Sequence, residues 1–157
     1  MNDALERIGV ISDTHGQLRP QAAAVLAGSQ LILHAGDVGR PEILDELRRI
    51  APVVAVRGNV DYGAWADEIP LHAEVTLGGR RIHMLHILAD LSLDPAADGI
   101  ATVIYGHSHK PEIARRDGVL YFNPGSAGPR RFSLPVTLGT LTLRNGALIP
   151  ELIELES

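Results

Sequence analysis

The run Ile8-Gly9-Val10-Ile11 stops at Ser12-Asp13-Thr14-His15-Gly16, which sets a carboxylate and an imidazole two residues apart where an apolar stretch ends. Three later stretches repeat the design: Leu31-Ile32-Leu33-His34-Ala35-Gly36-Asp37, Val53-Val54-Ala55-Val56-Arg57-Gly58-Asn59 and Val103-Ile104-Tyr105-Gly106-His107-Ser108-His109. His86 closes a further apolar run. Asp13, His15, Asp37, Asn59, His86, His107 and His109 together are more nitrogen and oxygen ligands than one metal ion needs. They divide naturally between two dications sharing one carboxylate, an arrangement that clamps the attacking and leaving oxygens of a phosphoryl displacement at an ion separation of about 3.5–4 Å.

Each piece alone has a plainer reading. Asp13-Thr14-His15 could cap a helix, and Gly36-Asp37 and Gly58-Asn59-Val60-Asp61 could be turns, since all use the residues that caps and turns prefer. Gly106-His107-Ser108-His109 is harder to dismiss, because two imidazoles straddling one serine are uncommon in a plain turn. What decides is that all four follow apolar strands.

Those strands must be positioned by what lies between them. Residues 7–12 and 30–35 read as buried strands, and 53–57 as a third strand. A helix over 20–27 has proline in its first turn and Gly28 at its end. Residues 41–50 carry apolar side chains at 43, 44, 47 and 50, with acids early and arginines late, as the helix dipole favours. Strand and helix alternate, so the sheet is expected to be parallel and covered by helices, with its ligands beyond the carboxyl ends of the strands. Asp13, Asp37 and Asn59 all fall there. The second half reads instead as hairpins turning at Gly78-Gly79, Asp117-Gly118 and Asn145-Gly146, with a buried strand at 101–105 and a helical turn at 94–98. The expected fold is an α/β sandwich of two packed mixed sheets with helices outside, the first sheet mainly parallel and the second richer in hairpins. At 157 residues it fits a single domain over 1–157.

Composition narrows the chemistry. The chain has no cysteine, so disulfides, thiolate zinc sites, iron–sulfur clusters and cysteine nucleophiles are excluded, and any metal is held by nitrogen and oxygen. The formal charge is −5 and only 4% of residues are aromatic, which argues against nucleic acid as a partner. Two bound dications would bring that charge close to neutral, so an anionic substrate need not be repelled. No apolar run reaches the roughly 20 residues that span a bilayer, so no membrane partner is expected. Met1 to Arg7 lacks the basic-then-apolar order of a secretion signal, and a cytoplasmic location is the default expectation.

The series Asp13-Thr14-His15, Gly36-Asp37, Gly58-Asn59-Val60-Asp61, His86, Gly106-His107-Ser108-His109 and Asn123-Pro124-Gly125-Ser126 resembles that of the calcineurin-like metallophosphoesterase superfamily. Within it, the small prokaryotic single-domain phosphodiesterases are the nearest in pattern. The resemblance implies that Asp13, His15 and His109 hold a first divalent ion, that Asn59, His86 and His107 hold a second, and that Asp37 bridges them. It assigns Asp37, Asn59 and His107 to the catalytic centre and gives Asn123-Pro124-Gly125-Ser126 a supporting role. It also makes a homo-oligomer, dimer or tetramer, an expectation. Mn²⁺ is the first choice of metal, with Fe²⁺, Co²⁺, Ni²⁺ or Zn²⁺ suited to the same donors. The implied reaction is hydrolysis of a small phosphoester, a diester before a monoester, by a hydroxide that bridges the two ions.

Two departures from the family pattern stand out. Val60 follows Asn59 where many members have a histidine that serves as general acid or substrate contact, so leaving-group departure is expected to be largely unassisted. His86-Ile87-Leu88 replaces a glycine-containing continuation, so an apolar wall is expected beside the second ion. The remaining histidines read as structural: alternation along a strand turns His83 away from His86 and His34 away from Asp37, and His72 reads as a surface residue. Arg57 and Arg130 are the basic residues best placed to meet a phosphate. Two other readings compete with the enzyme: a scaffold like the retromer subunit that shares this fold, and a metal-dependent nuclease, which the acidic balance disfavours.

Overall fold

The computed structural model describes residues 6–131 and 133–155. Met1 to Leu5, on which the secretion-signal reading rests, lie outside the described residues. Two five-stranded sheets face each other. The first has the order β10-β9-β1-β2-β3, with β1 Glu6–Ile11, β2 Leu31–His34, β3 Val53–Ala55, β9 Thr137–Arg144 and β10 Ala147–Glu154. The second has the order β4-β5-β6-β8-β7, with β4 His72–Leu77, β5 Arg80–Leu85, β6 Ile100–Ile104, β7 Glu112–Arg116 and β8 Val119–Asn123. Both are mixed, and the α/β sandwich expected from the sequence is observed.

Alternation along β1 explains the layering. Ile8 and Val10 point between the sheets, where they meet Leu33, Met84, Ile104, Phe122 and Leu141. Ile11 points the other way, into a core shared with Leu26, Ile43 and Leu47. These last three come from α1, Pro20–Leu26, and α2, Pro41–Arg48, each begun by the proline that a first helical turn accepts. Among the described residues, α1 and α2 therefore cover the first sheet. The outer face of the second is closed by Leu85, Val103 and Tyr105 under Leu88, Leu91 and Leu93. Two short elements had no strong sequence signal: α3 at Ala64–Asp67 and a 3-10 turn at Leu88–Asp90. At 94–98 the expected helical turn takes the form of a backbone bond from Asp98 N–H to Asp94 C=O, 2.9 Å.

The division between the sheets needs one correction. The first sheet is not mainly parallel, because the Asn145-Gly146 hairpin joins it, with β9 antiparallel to β1. The cause is burial: all residues from 137 to 141 are buried, so β9 has an apolar neighbour on both faces and belongs inside a sheet, not at its edge. The second sheet compensates, since β5, β6 and β8 run parallel between two edge strands. The consequence for function is direct. All six parallel strands end on the same side, and each is followed within a few residues by Asp13, Asp37, Asn59, His86, His107 or Asn123 itself closing its strand.

Phe122 is fully buried between the sheets, and a Cβ on Gly139 would come within 2.4 Å of its ring. Phe122→Ala is expected to lower unfolding free energy by about 3–5 kcal/mol, read from urea midpoints at an unchanged denaturant slope.

Candidate metal centre

Past the end of β1 the pairing with β2 continues as loop on loop. The N–H groups of Asp13, His15 and Gly16 donate to the carbonyls of Gly36, Asp37 and Val38 at 2.8–2.9 Å. This zipper holds the first and second acidic loops side by side. Close approach depends on small residues: a Cβ on Gly58 would sit 2.1 Å from Asp37 N, and one on Gly106 2.1 Å from Ser12 Oγ. Outside the hairpin turns at Asp117 and Asn145, the non-glycine residues with positive φ among the described residues are Asp13, His15, Asp37, His107 and His109, at 47–76°. Such conformations cost of order 1–3 kcal/mol for non-glycine residues and gather at functional sites.

Two clusters result. In the first, His15 Nε2, His109 Nε2 and Asp13 Oδ1 are mutually 3.2, 3.5 and 3.8 Å apart. In the second, Asp37, His86 and His107 converge, with His86 Nε2 3.1 Å from Asp37 Oδ2 and His107 Nδ1 3.1 Å from Asn59 Oδ1. Asp37 Oδ2 also lies 3.6 Å from His15 Nε2, so this one carboxylate adjoins both clusters. Donors bound to one ion at about 2.1 Å are separated by roughly 3.0–3.4 Å at octahedral or tetrahedral angles, close to these spacings.

The residues fit a cation on a further count. Asp13 Oδ1 and His86 Nε2 are buried and have no hydrogen-bond partner; His86 approaches Asp37 closely but out of line for a hydrogen bond. His86 Nδ1 donates to the Ala35 carbonyl at 2.7 Å, which leaves the Nε2 lone pair aimed at the cluster, the tautomer a metal ligand requires. Burial pushes the Asp13 carboxyl up to about 7 against the pull of His86 and the Ser12 hydroxyl. Burial alone would also raise Asp37, but His86, the Val60 N–H and His15 outweigh it and hold that carboxyl down at about 2. Desolvation lowers His15, and with Arg131 lowers His109 to about 4, so both imidazoles stay neutral and free to ligate.

All seven expected residues therefore meet at one end of the sandwich. Sequence reasoning missed the groups that brace them. Asp61 is buried and accepts the N–H groups of Val38, Gly39 and Gly58 at 2.9–3.1 Å, tying the second acidic loop to the Asn59 loop. Its only sequence signal is an acid two residues beyond Asn59. Ser12 Oγ donates to Asp13 Oδ2, and Ser126 Oγ donates to the Asp13 carbonyl, the supporting role expected of that segment. Asn123 Nδ2 reaches the Gly106 carbonyl and Ser108 Oγ, holding the histidine loop.

The departures also acquire a place. Val60 exposes its side chain, but its N–H donates to Asp37 Oδ1 at 3.0 Å. Ile87 lines a pocket of about 330 Å³ beside the second cluster, together with Arg57, Asn59, Leu71, His72 and His86, whereas Leu88 turns under the second sheet. Arg57 thus borders the site while pairing with Asp67; Arg130 is exposed and donates to the Leu134 carbonyl, away from that pocket. His72 is exposed, as the sequence reading has it, and it also lines the pocket and pairs with His83.

Fold and clusters define a hydrolase of the metal-dependent kind that works on phosphoesters. Residues 7–146 match the calcineurin-like phosphoesterase superfamily domain, and the chain belongs to that superfamily. It is 37% identical over 145 residues to the "Probable metallophosphoesterase" of Methanothermobacter thermautotrophicus, covering 82% of this chain and 81% of the relative. It is 30% identical over 158 residues to phosphodiesterase YfcE of Escherichia coli, covering 83% and 84%. The fold is shared with Vacuolar Protein Sorting 29 of Cryptosporidium parvum at a TM-score of 0.77 and 20% identity, covering 99% of this chain and 100% of that one.

His34 lies beneath the site and gives a test of its bracing. Its Nδ1 accepts the Gly36 N–H, so Nε2 carries the proton and donates to Thr14 Oγ1, which donates to the Val38 carbonyl. Complete burial lowers its pKa from 6.5 to about 3. The unfolded chain thus takes up a proton below pH 6.5 that the folded chain refuses, so this contribution is whole above pH 6.5 and is lost as pH falls toward 3. Asp13, raised when folded, slopes the opposite way in metal-free protein, so the difference from a variant isolates His34. His34→Asn is expected to be less stable than wild type by about 1–3 kcal/mol at pH 7.5, with the gap narrowing toward pH 5 in urea titrations.

Proposed function

We propose that this chain is a phosphodiesterase working with two divalent ions, the first held by Asp13, His15 and His109, the second by Asn59, His86 and His107, with Asp37 between them. The observation that carries this reading is Asp37 Oδ2, 3.6 Å from His15 and 3.1 Å from His86, one carboxylate adjoining the nitrogen donors of both clusters. Such ions, when bound, make water acidic enough to supply a nucleophile near neutral pH and offset charge on the phosphoryl oxygens. Mn²⁺ is the preferred metal, and the nitrogen and oxygen donors also accept Fe²⁺, Co²⁺, Ni²⁺ or Zn²⁺.

The protein's own share is placement. His86 and the Val60 N–H hold Asp37 ionised against its burial, the Ala35 carbonyl orients His86, His34 keeps the two acidic loops in register, and Asp61 ties the second of them to the Asn59 loop. Asn59 and His107, both exposed, are the cluster members within reach of a substrate. A diester is favoured over a monoester because the pocket beside Asn59 and His86, with Leu71, Leu85 and Ile87 in its walls, has room for a second ester group that a monoester lacks. The name of the Escherichia coli relative supports the same preference.

Protein stripped with chelator is expected to be inactive on bis(4-nitrophenyl) phosphate and to regain activity on adding Mn²⁺, with 4-nitrophenyl phosphate hydrolysed at least about tenfold less efficiently. Asp37→Ala is expected to lose bound metal, measured by elemental analysis, along with turnover. Full activity in that variant overturns the site. Protein that binds no metal and stays inert with Mn²⁺ moves the reading to a scaffold.

A further inference from the structure

The pocket that borders the second cluster has a polar group on its far wall. His72, the first residue of β4, is exposed to the pocket, yet its ring is held. His72 Nδ1 lies 3.2 Å from His83 Nε2, His83 Nδ1 lies 3.1 Å from Glu74 Oε2, and Arg81 Nη2 lies 3.0 Å from Glu74 Oε1. Hairpin register builds this row: His72 stands opposite Leu85, Glu74 opposite His83 and Thr76 opposite Arg81, so residues 72, 74, 81 and 83 share one face.

Donor and acceptor roles run in one direction along it. An ionised Glu74 only accepts, so His83 carries its proton on Nδ1 and offers Nε2 as acceptor to the N–H on His72 Nδ1. The ring nitrogen of His72 left for the pocket is Nε2. An imidazolium formed there keeps its Nδ1–H on His83, which the Glu74 carboxylate holds in place, so the row orients and stabilises the charged ring without moving the charge along it. Asp90, from the 3-10 turn, borders the same pocket and favours that charge; Arg57, from the loop after β3, opposes it, and His86 closes the inner side.

We propose that His72, oriented by His83 and Glu74, donates the proton to the leaving oxygen of a phosphodiester lying across this pocket, a role that Val60 cannot fill. The inference rests on the phosphodiesterase reading above. As the ester P–O bond breaks, its electron pair goes to the leaving oxygen, which takes the proton from His72 Nε2. A water oxygen replaces it on phosphorus and releases its proton to solvent, and neutral His72 regains a proton from solvent. His72 touches the substrate; His83 acts through it as a positioning residue.

The test compares Mn²⁺-loaded wild type, His72→Gln and His83→Gln on methyl 4-nitrophenyl phosphate, whose leaving group departs without a proton, and methyl phenyl phosphate, whose leaving group needs one. For His72→Gln, kcat/KM on the phenyl ester is expected to fall about 10²-fold or more, and on the nitrophenyl ester at least about tenfold less than that. His83→Gln is expected to show the same ordering with smaller losses. His72 is exposed, so metal content and thermal unfolding of His72→Gln should match wild type, separating this role from a structural one. Equal losses on both esters, or none on either, overturn the role of His72 while leaving the phosphodiesterase intact. Wild type that cleaves neither ester overturns both readings.

Discussion

Asp13 has one oxygen that no hydrogen-bond donor reaches, in a carboxyl group shut away from water and facing His15, His86 and His109 at 3.5–3.8 Å. Left alone, that carboxylate is costly to ionise, which is why its pKa stands at about 7. A cation among those imidazoles removes the conflict. Much of the surrounding construction serves to keep the group there: Ser12 and the His107 N–H occupy its other oxygen, and Ser126 grips its carbonyl.

The same constraint accounts for where strain is kept. Five residues proposed as ligands take positive φ, a conformation disfavoured for aspartate and histidine, and they keep it because loops from both sheets lock one another. Backbone bonds between the first two acidic loops, the three N–H groups gathered by Asp61, and the His34 to Thr14 to Val38 chain leave no relaxed alternative. Close contact at Gly58 and Gly106 lets the four loops approach.

Membership of the calcineurin-like phosphoesterase superfamily rests on residues spread over nearly the whole chain, but the site's two halves differ in character. The half around Asp13, His15 and His109 is enclosed and mostly buried. The other, around Asn59 and His107, is open and continues into a pocket whose walls include Ile87. Specificity is therefore expected to be set on this open side, by the wall that Ile87, Leu71 and the His72 row provide. A common fold with Vacuolar Protein Sorting 29 carries no information about that wall, since the likeness is one of fold alone.

Sequence by itself determined which candidate ligand types the strands deliver and where. Short apolar runs that alternate with helical segments read as parallel strands, and parallel strands of one sheet end on one side, so Asp13, Asp37 and Asn59 are expected to converge. The three hairpins were equally readable, because Gly78-Gly79, Asp117-Gly118 and Asn145-Gly146 favour the positive φ that a two-residue turn requires. Tertiary structure decided what depends on partners distant in the chain. It placed β9 beside β1, folded Asp61 under two loops, buried His34 against Thr14, and set the exposed His72 at the end of a row held by His83 and Glu74. Local periodicity fixes which face of a strand a side chain takes; which other strand it meets there, and in what register, is settled only when the whole core packs.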